Sequence, residues 1–117
     1  MILNHNQMDI ETTVGDTISF GFQMEGLGED VDSAFFTVKE NYTDEGPLLQ
    51  VSLGDGIEKY EPEDPSEEGI YTVHISAERA SVLPIGTFYY DLQVGLRGDV
   101  YTLMKGIMKV TYDVTRQ

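Results

Sequence analysis

The chain has 117 residues, of which 40% are hydrophobic and 24% are charged, a size and balance that predict one folded domain and exclude a chain that is disordered as a whole. It contains no cysteine, which excludes a disulfide framework and a thiolate metal cluster. No run of residues approaches the roughly 20 apolar positions of a membrane span. The first residues also lack a basic segment followed by an apolar run, so we expect neither a membrane segment nor an export signal.

The formal net charge is -14, from 21 acidic and 7 basic residues, and it is distributed unevenly. Residues 1–69 carry 17 acids and two lysines, a net of -15, whereas residues 70–117 carry four acids and five bases, a net of +1. Such a field repels phosphate backbones, so nucleic-acid binding is not expected. Three uses of the acidic half stay open: solvation of loops, attraction of a basic protein surface, and cation binding.

Apolar and polar residues alternate with a period of two through the first half of the chain, which is typical of strands with one buried face. A flexible N-terminus is expected over residues 1–7, before a single domain over 8–117. The Gly15-Asp16 turn predicts that the first two strands pair, and Gly54-Asp55-Gly56 predicts a second hairpin. The strands predicted in this half are residues 8–14, 18–24, 34–39, 49–53 and 57–60.

The second half begins with a charged, proline-containing segment, 61–69, which predicts a surface loop. A strand follows at 70–76, and the spacing of Ala77, Ala80 and Leu83 predicts one short helical turn over 77–83 before Pro84. Alternation resumes over 86–94 and again toward the end of the chain, with a last strand that reaches Thr115. Many short strands with few helical residues predict an all-β, antiparallel, immunoglobulin-like β-sandwich of seven to nine strands.

The sequence offers no set of residues arranged for catalysis, so we expect no enzyme. Its two histidines are His5, near the terminus, and His74, on the polar face of a strand, and neither accompanies a nucleophile motif. No cofactor is expected. Calcium is the strongest chemical alternative, because carboxylates cluster in loops, although their spacing matches no calcium-loop motif; the weak candidate ligands are Glu29, Asp30, Asp32, Glu63 and Asp64.

The candidate interface residues are aromatic and aliphatic side chains on the predicted strands. Phe35 and Tyr89 occur opposite the main apolar face of their strands, and Tyr101 is a third aromatic candidate. The first strand, with Ile10, and the last strand, with Val110, are expected to be sheet edges whose unpaired backbone groups support assembly.

Four segments taken in order resemble the immunoglobulin-like modules of tailed-phage and prophage proteins, above all the N-terminal domain of baseplate upper proteins. They are Gly15-Asp16-Thr17-Ile18-Ser19-Phe20, Ala34-Phe35-Phe36-Thr37-Val38-Lys39, residues 83–92 (LPIGTFYYDL) and residues 103–116 (LMKGIMKVTYDVTR). The resemblance covers residues 8–116. It implies a non-enzymatic structural or adaptor protein of the virion tail or baseplate, made in the bacterial cytoplasm, with other phage structural proteins as partners and usually oligomeric.

Two other function classes remain open from the sequence. One is a small carbohydrate-binding or cell-surface adhesion module with calcium in its acidic loops. The other is an inhibitor or mimic that covers a basic surface with the acidic half, an interaction that salt would screen.

Overall fold

The computed structural model describes residues 6–24, 30–61 and 69–112. Within these ranges the chain forms nine strands and one short helix, an all-β fold of the immunoglobulin-like class. The elements are β1 (Asn6–Gln7), β2 (Ile10–Thr13), β3 (Ile18–Gln23), β4 (Ser33–Lys39), β5 (Leu49–Leu53), β6 (Gly56–Lys59), β7 (Ile70–Ile75), α1 (Ala77–Ala80), β8 (Gly86–Leu96) and β9 (Asp99–Thr111).

The strands form two packed layers joined along one side. The front layer has the order β1/β2, β9, β8, β4, β5, and the back layer has the order β6, β7, β3. Strands β1 and β2 both run parallel to β9, and together they form one interrupted edge. Among the described strands, backbone pairing between the layers is limited to two residue pairs, where β5 runs parallel to β6, so the described ladder begins at β1/β2 and ends at β3.

The core lies between the layers because apolar residues alternate along each strand. In β4, Ala34, Phe36 and Val38 are fully buried, whereas Phe35 on the opposite face is 42% exposed. Phe36 bridges the two layers: its ring lies 5.5 Å from that of Phe20 on β3 and 5.5 Å from that of Tyr90 on β8. Antibody domains join their layers at this depth with a disulfide and a tryptophan. This chain has neither, and aromatic packing takes their place.

Two pairings differ from the sequence prediction. The first two long strands were expected to form a hairpin across Gly15-Asp16, but β2 joins β9 in the front layer while β3 joins β7 in the back layer. The turn therefore crosses between layers. At Gly54-Asp55-Gly56, β6 pairs parallel to β5 instead of folding back beside it. Both predictions were wrong because a turn signal fixes a change of direction and does not specify the layer in which the next strand lies.

The predicted helical turn is confirmed at α1, although it is shorter than expected. Ser76 caps its N-terminus, since the Ser76 side chain accepts a hydrogen bond from the Arg79 amide at 3.2 Å. Leu83 follows the helix and is buried, so the segment that connects β7 to β8 packs against the core. The Arg79 guanidinium donates to Asp55 at 2.9 Å and ties the helix to the turn between β5 and β6.

The sheet begins two residues earlier than the expected domain boundary, because Asn6 and Gln7 form β1. Between β1 and β2 the backbone is held by side chains. The buried Tyr90 hydroxyl donates to the Met8 carbonyl, and the Asp9 carboxylate accepts from the Ile107 amide at 3.3 Å. Gly106 lies beneath this crossing, where a Cβ atom would overlap the Met8 carbonyl. The backbone at Met8 can therefore lie this close to β9 only because position 106 has no Cβ atom.

Candidate protein-binding face

The outward surface of β4, β8 and β9 carries three adjacent rows of side chains, which we call the front face. In the first row Phe35 lies opposite Gln93, and in the second Thr37 lies opposite Asp91, which in turn lies opposite Lys105. The third row places Lys39, Tyr89 and Ile107 side by side. Because side chains directly opposite each other in a sheet are close neighbours, these eight residues form one continuous surface.

The apolar part of the front face is centred on two stacked tyrosines. Tyr42, from the loop after β4, is 69% exposed and lies over Tyr89, with ring centroids 4.1 Å apart and planes inclined by 32°. Ile107 adjoins Tyr89 on β9 and is partly exposed, as is Phe35 two rows away. Exposed aromatic rings held by packing make effective interface anchors, because little conformational freedom remains to be lost on binding.

A small hollow of about 110 Å³ lies beside the tyrosine stack and is lined in part by Asp91, Lys39 and Lys105. Burial raises the pKa of the Asp91 carboxyl, and the positive charge of Lys39 acts in the opposite direction. Keeping an ionised carboxylate half-buried costs free energy, and such costs are common where a group serves binding. Asp91 is therefore a candidate to accept a hydrogen bond from a partner.

Electrostatically, the front face differs from the rest of this acidic chain. Lys39 and Lys105 lie on it and Lys109 follows on β9, so one face carries three of the seven basic residues. The acid among these rows is Asp91, and Glu11 of β2 lies beside them, opposite Lys109 of β9. The front face can therefore approach an acidic surface that the remainder of the molecule would repel.

The structure separates the predicted interface residues into two groups. Phe35 and Tyr89 lie together on the front face, as their position opposite the apolar pattern predicted. Tyr101 and Ile10 are partly buried and pack against the core. Val110 is 3% exposed, so its side chain is a core residue and is not available to a partner. The last strand is also not an edge over residues 104–111, because β9 is paired on both sides; the edge is β2.

The acidic candidates that can be described have other partners. The Asp30 carboxylate lies 2.9 Å from the Lys59 ammonium, whose pKa is raised chiefly by this hydrogen bond. The Asp32 carboxylate accepts from the Arg97 amide at 2.8 Å in the turn between β8 and β9. Glu29, Glu63 and Asp64 lie outside the described residues. Among residues 6–24, 30–61 and 69–112, no group of three or more acids and histidines is arranged to hold a metal ion.

Sequence reasoning missed the polar members of the front face. Asp91 and Lys105 are ordinary outward positions in their strands, and only the register of β8 with β9 brings them together, beside the apolar Ile107. A usable signal existed at Asp91, a carboxylate that follows Tyr89-Tyr90 in an otherwise uncharged strand. Tyr42 also lies on this face, and its stacking on Tyr89 follows from the return of the β4–β5 loop over the sheet.

Comparison with known proteins identifies the fold and leaves the family undetermined. No family model matches the chain, and no curated protein matches it. Among solved structures, the NK cell receptor Nkp44, a triggering partner in natural cytotoxicity, aligns with a TM-score of 0.52 at 13% identity, over 91% of this chain and 99% of that one. This is an immunoglobulin-like fold. At such identity the likeness extends to architecture and to nothing beyond it.

Two further structures align less well. A candidate glycoside hydrolase from Bacteroides vulgatus gives a TM-score of 0.48 at 13% identity, over 89% of this chain but 16% of that protein. The extracellular domain of the voltage-gated sodium channel beta4 subunit, known as a parallel homodimer with a role in cell-cell adhesion, gives 0.43 at 10% identity, over 97% and 98% of the two chains. Within the ranges that the structure describes, no helix has the length and apolarity to span a membrane.

Proposed function

We propose that this protein is a non-enzymatic structural or adaptor component of a phage or prophage particle, in the tail or baseplate, and that it acts by protein-protein assembly. The observation that carries the assembly role is the front face, where the Tyr42-Tyr89 stack, Phe35 and Ile107 lie on the same face of the sheet as the half-buried Asp91. The particle assignment is supported by the order of the four sequence segments that resemble baseplate upper proteins.

The charge distribution supports oligomerisation as part of this role. A positively charged front face on a chain of net charge -14 is complementary to the acidic surface of a second copy. Contact of the front face with a different surface patch is a heterologous interface, which closes into a ring when the rotation between copies permits. Raising the salt concentration from about 0.05 to about 0.5 M should weaken such an assembly, because screening shortens the distance over which surface charges attract each other.

The particle assignment is tested on particles induced from the parent genome and purified through a density gradient. Mass spectrometry of the purified fraction should find this chain at a fixed ratio to the tail proteins. Its absence from intact particles, with the chain still present in the lysate, would rule out a virion component.

The front face is tested separately by the solution mass of purified variants. Lys39→Glu and Tyr89→Ala should reduce assembly or partner capture, whereas Tyr60→Ala is the matched control because Tyr60 is a 44% exposed aromatic after β6 in the back layer. Equal behaviour of all three variants would reject the front face as the assembly surface. That result would not affect the particle assignment, which the mass spectrometry of purified particles tests separately.

A further inference from the structure

An apolar groove of about 670 Å³ lies on the side of the sandwich opposite the β5–β6 connection. One wall is β3 of the back layer. The other wall is formed by β2 and by Met8, which precedes it, and Leu103 and Met104 of β9 form the floor. The lining residues are Met8, Ile10, Glu11, Thr12, residues 17–24, Leu103 and Met104.

The groove exists because the two layers have different widths. The back layer has three strands, whereas the front layer has β9, β8, β4 and β5 with the β1/β2 edge beyond them. Inward-facing side chains of the front layer therefore extend past β3. Ile10, Leu103 and Met104 pack against the core but are only partly buried, and Phe20 and Phe22 of β3 are likewise partly exposed. One further strand beside β3 would cover all five.

On the edge of β3 that faces away from β7, the backbone hydrogen-bonding groups of Ser19 and Gly21 are directed into this opening. The Met24 amide donates to the Gly69 carbonyl at 2.9 Å, on the β7 side. Alternation along an antiparallel strand then directs the amides of Phe20 and Phe22 toward β7 and those of Ser19 and Gly21 away from it. Among the strands described, β3 pairs with β7 alone.

Within β3 itself, this edge carries none of the residues that usually protect a sheet edge. The β3 sequence Ile18–Gln23 contains no charge and no proline, in a chain with 24% charged residues. Lysine, proline or a bulge normally prevents pairing at an exposed edge. By contrast, the β2 edge carries Glu11, preceded by Asp9.

We propose that this groove is a docking site for an extended strand of another protein, which adds to β3 as the fourth strand of the back layer. Such a strand has apolar side chains at alternate positions, to fill the space over Ile10, Leu103 and Met104. It is net positive, because the whole chain carries a net charge of -14 and Glu11 is the one charged residue among the described residues that line the groove.

Charge also argues against a second copy as the occupant. A second copy would bring its own -14 to the same edge. The docking site is separate from the front face and does not depend on the particle assignment.

The first test uses a synthetic peptide, Lys-Thr-Val-Thr-Val-Thr-Val-Lys, at 1 mM with the full chain. Amide hydrogen exchange followed by NMR should slow at least tenfold at Ser19 and Gly21, while Phe20 and Phe22, which already donate to β7, change little. The control peptide, Lys-Thr-Thr-Val-Val-Val-Thr-Lys, has the same composition without alternation and should produce less than a threefold change.

Variants of the protein separate edge pairing from general adhesion. Ser19→Pro removes an outward donor without breaking the β3–β7 ladder and should weaken peptide binding at least tenfold, with an unchanged thermal midpoint. Met8→Lys places a positive charge on the groove wall and should weaken binding of the lysine-flanked peptide by a similar factor. Tyr60→Lys, away from the groove, is the matched control and should bind as the unaltered chain does.

Four results would overturn the proposal. The first is no protection at Ser19 and Gly21, and the second is equal protection by both peptides. The third is protection without peptide that rises with protein concentration, which would identify a second copy as the occupant. The fourth is faster exchange at Ser19 and Gly21 after deletion of residues 1–5, which would identify the chain's own N-terminal segment.

Discussion

Replacing Phe36 with leucine should reveal how much of the stability depends on the aromatic bridge between the layers. Phe36 is fully buried, and its ring lies 5.5 Å from both Phe20 and Tyr90. Leucine is smaller than phenylalanine, and the buried packing that it loses costs up to about 1.5 kcal/mol. Two aromatic pairs at about 0.5–1.5 kcal/mol each add about 1–3 kcal/mol. The expected loss is therefore about 1–4 kcal/mol, a large part of the roughly 5–15 kcal/mol that stabilises a domain.

A double-mutant cycle isolates the contact across the layers. Phe20→Leu, Phe36→Leu and the double variant are unfolded in urea and followed by far-ultraviolet circular dichroism, because the chain has no tryptophan. The coupling between the two positions should be about 0.5–1.5 kcal/mol. The free energy of unfolding falls by about 1–3 kcal/mol per molar urea, so the unfolding midpoint of each single variant should be clearly lower than that of the unaltered chain.

Phe35→Leu is the control, since Phe35 is the adjacent residue on the opposite, solvent-facing side of β4. It should change stability by less than about 0.5 kcal/mol. A coupling below about 0.3 kcal/mol between positions 20 and 36 would refute the aromatic bridge as an energetic link. A loss at position 35 as large as that at position 36 would refute the assignment of the two faces.

Three further predictions concern single side chains. Tyr90→Phe leaves the Met8 carbonyl without its hydrogen-bond donor and should lower the free energy of unfolding in urea by about 1–3 kcal/mol. An unchanged midpoint would contradict that hydrogen bond. Burial raises the pKa of Asp91 in the folded state, so this group favours folding less as pH rises from the usual carboxyl range through the raised value. Asp91→Asn should therefore raise the thermal midpoint at pH 7 and leave it unchanged near pH 3, and a gain of equal size at both values would contradict burial as the cause. Gly69→Ala should destabilise more than Gly98→Ala, because both positions have positive φ but only at Gly69 would a Cβ overlap a carbonyl, that of Met24; equal midpoints in thermal unfolding would contradict the close approach.

The all-β class could be predicted from the sequence because burial follows residue alternation directly. In β8, Phe88, Tyr90, Leu92 and Val94 are all buried, as a period of two requires. The short helix could also be predicted, since a serine cap and a following proline mark its limits locally.

Pairing between distant strands could not be predicted from the same signals. β2 joins β9, about 100 residues away, because its inward side chain at Ile10 packs beside Met108. Nothing near residue 10 specifies that choice. The front face was missed for the same reason, since Asp91 and Lys105 become neighbours only through the register of two strands. Val110 was placed at an interface because an alternating pattern does not show which strand is covered on both edges.

The parallel pairing of β2 with β9 has a mechanical consequence. Residues 10–13 lie beside residues 108–111 with both strands running in the same direction. A pull applied between the beginning of β2 and the end of β9 therefore acts along the strands, and it loads all the hydrogen bonds of this pair at once. An antiparallel pair at the same place would open one bond at a time. The domain should accordingly resist tension along the chain through its first and last strands, with a lifetime set by the rate of unfolding rather than by equilibrium stability.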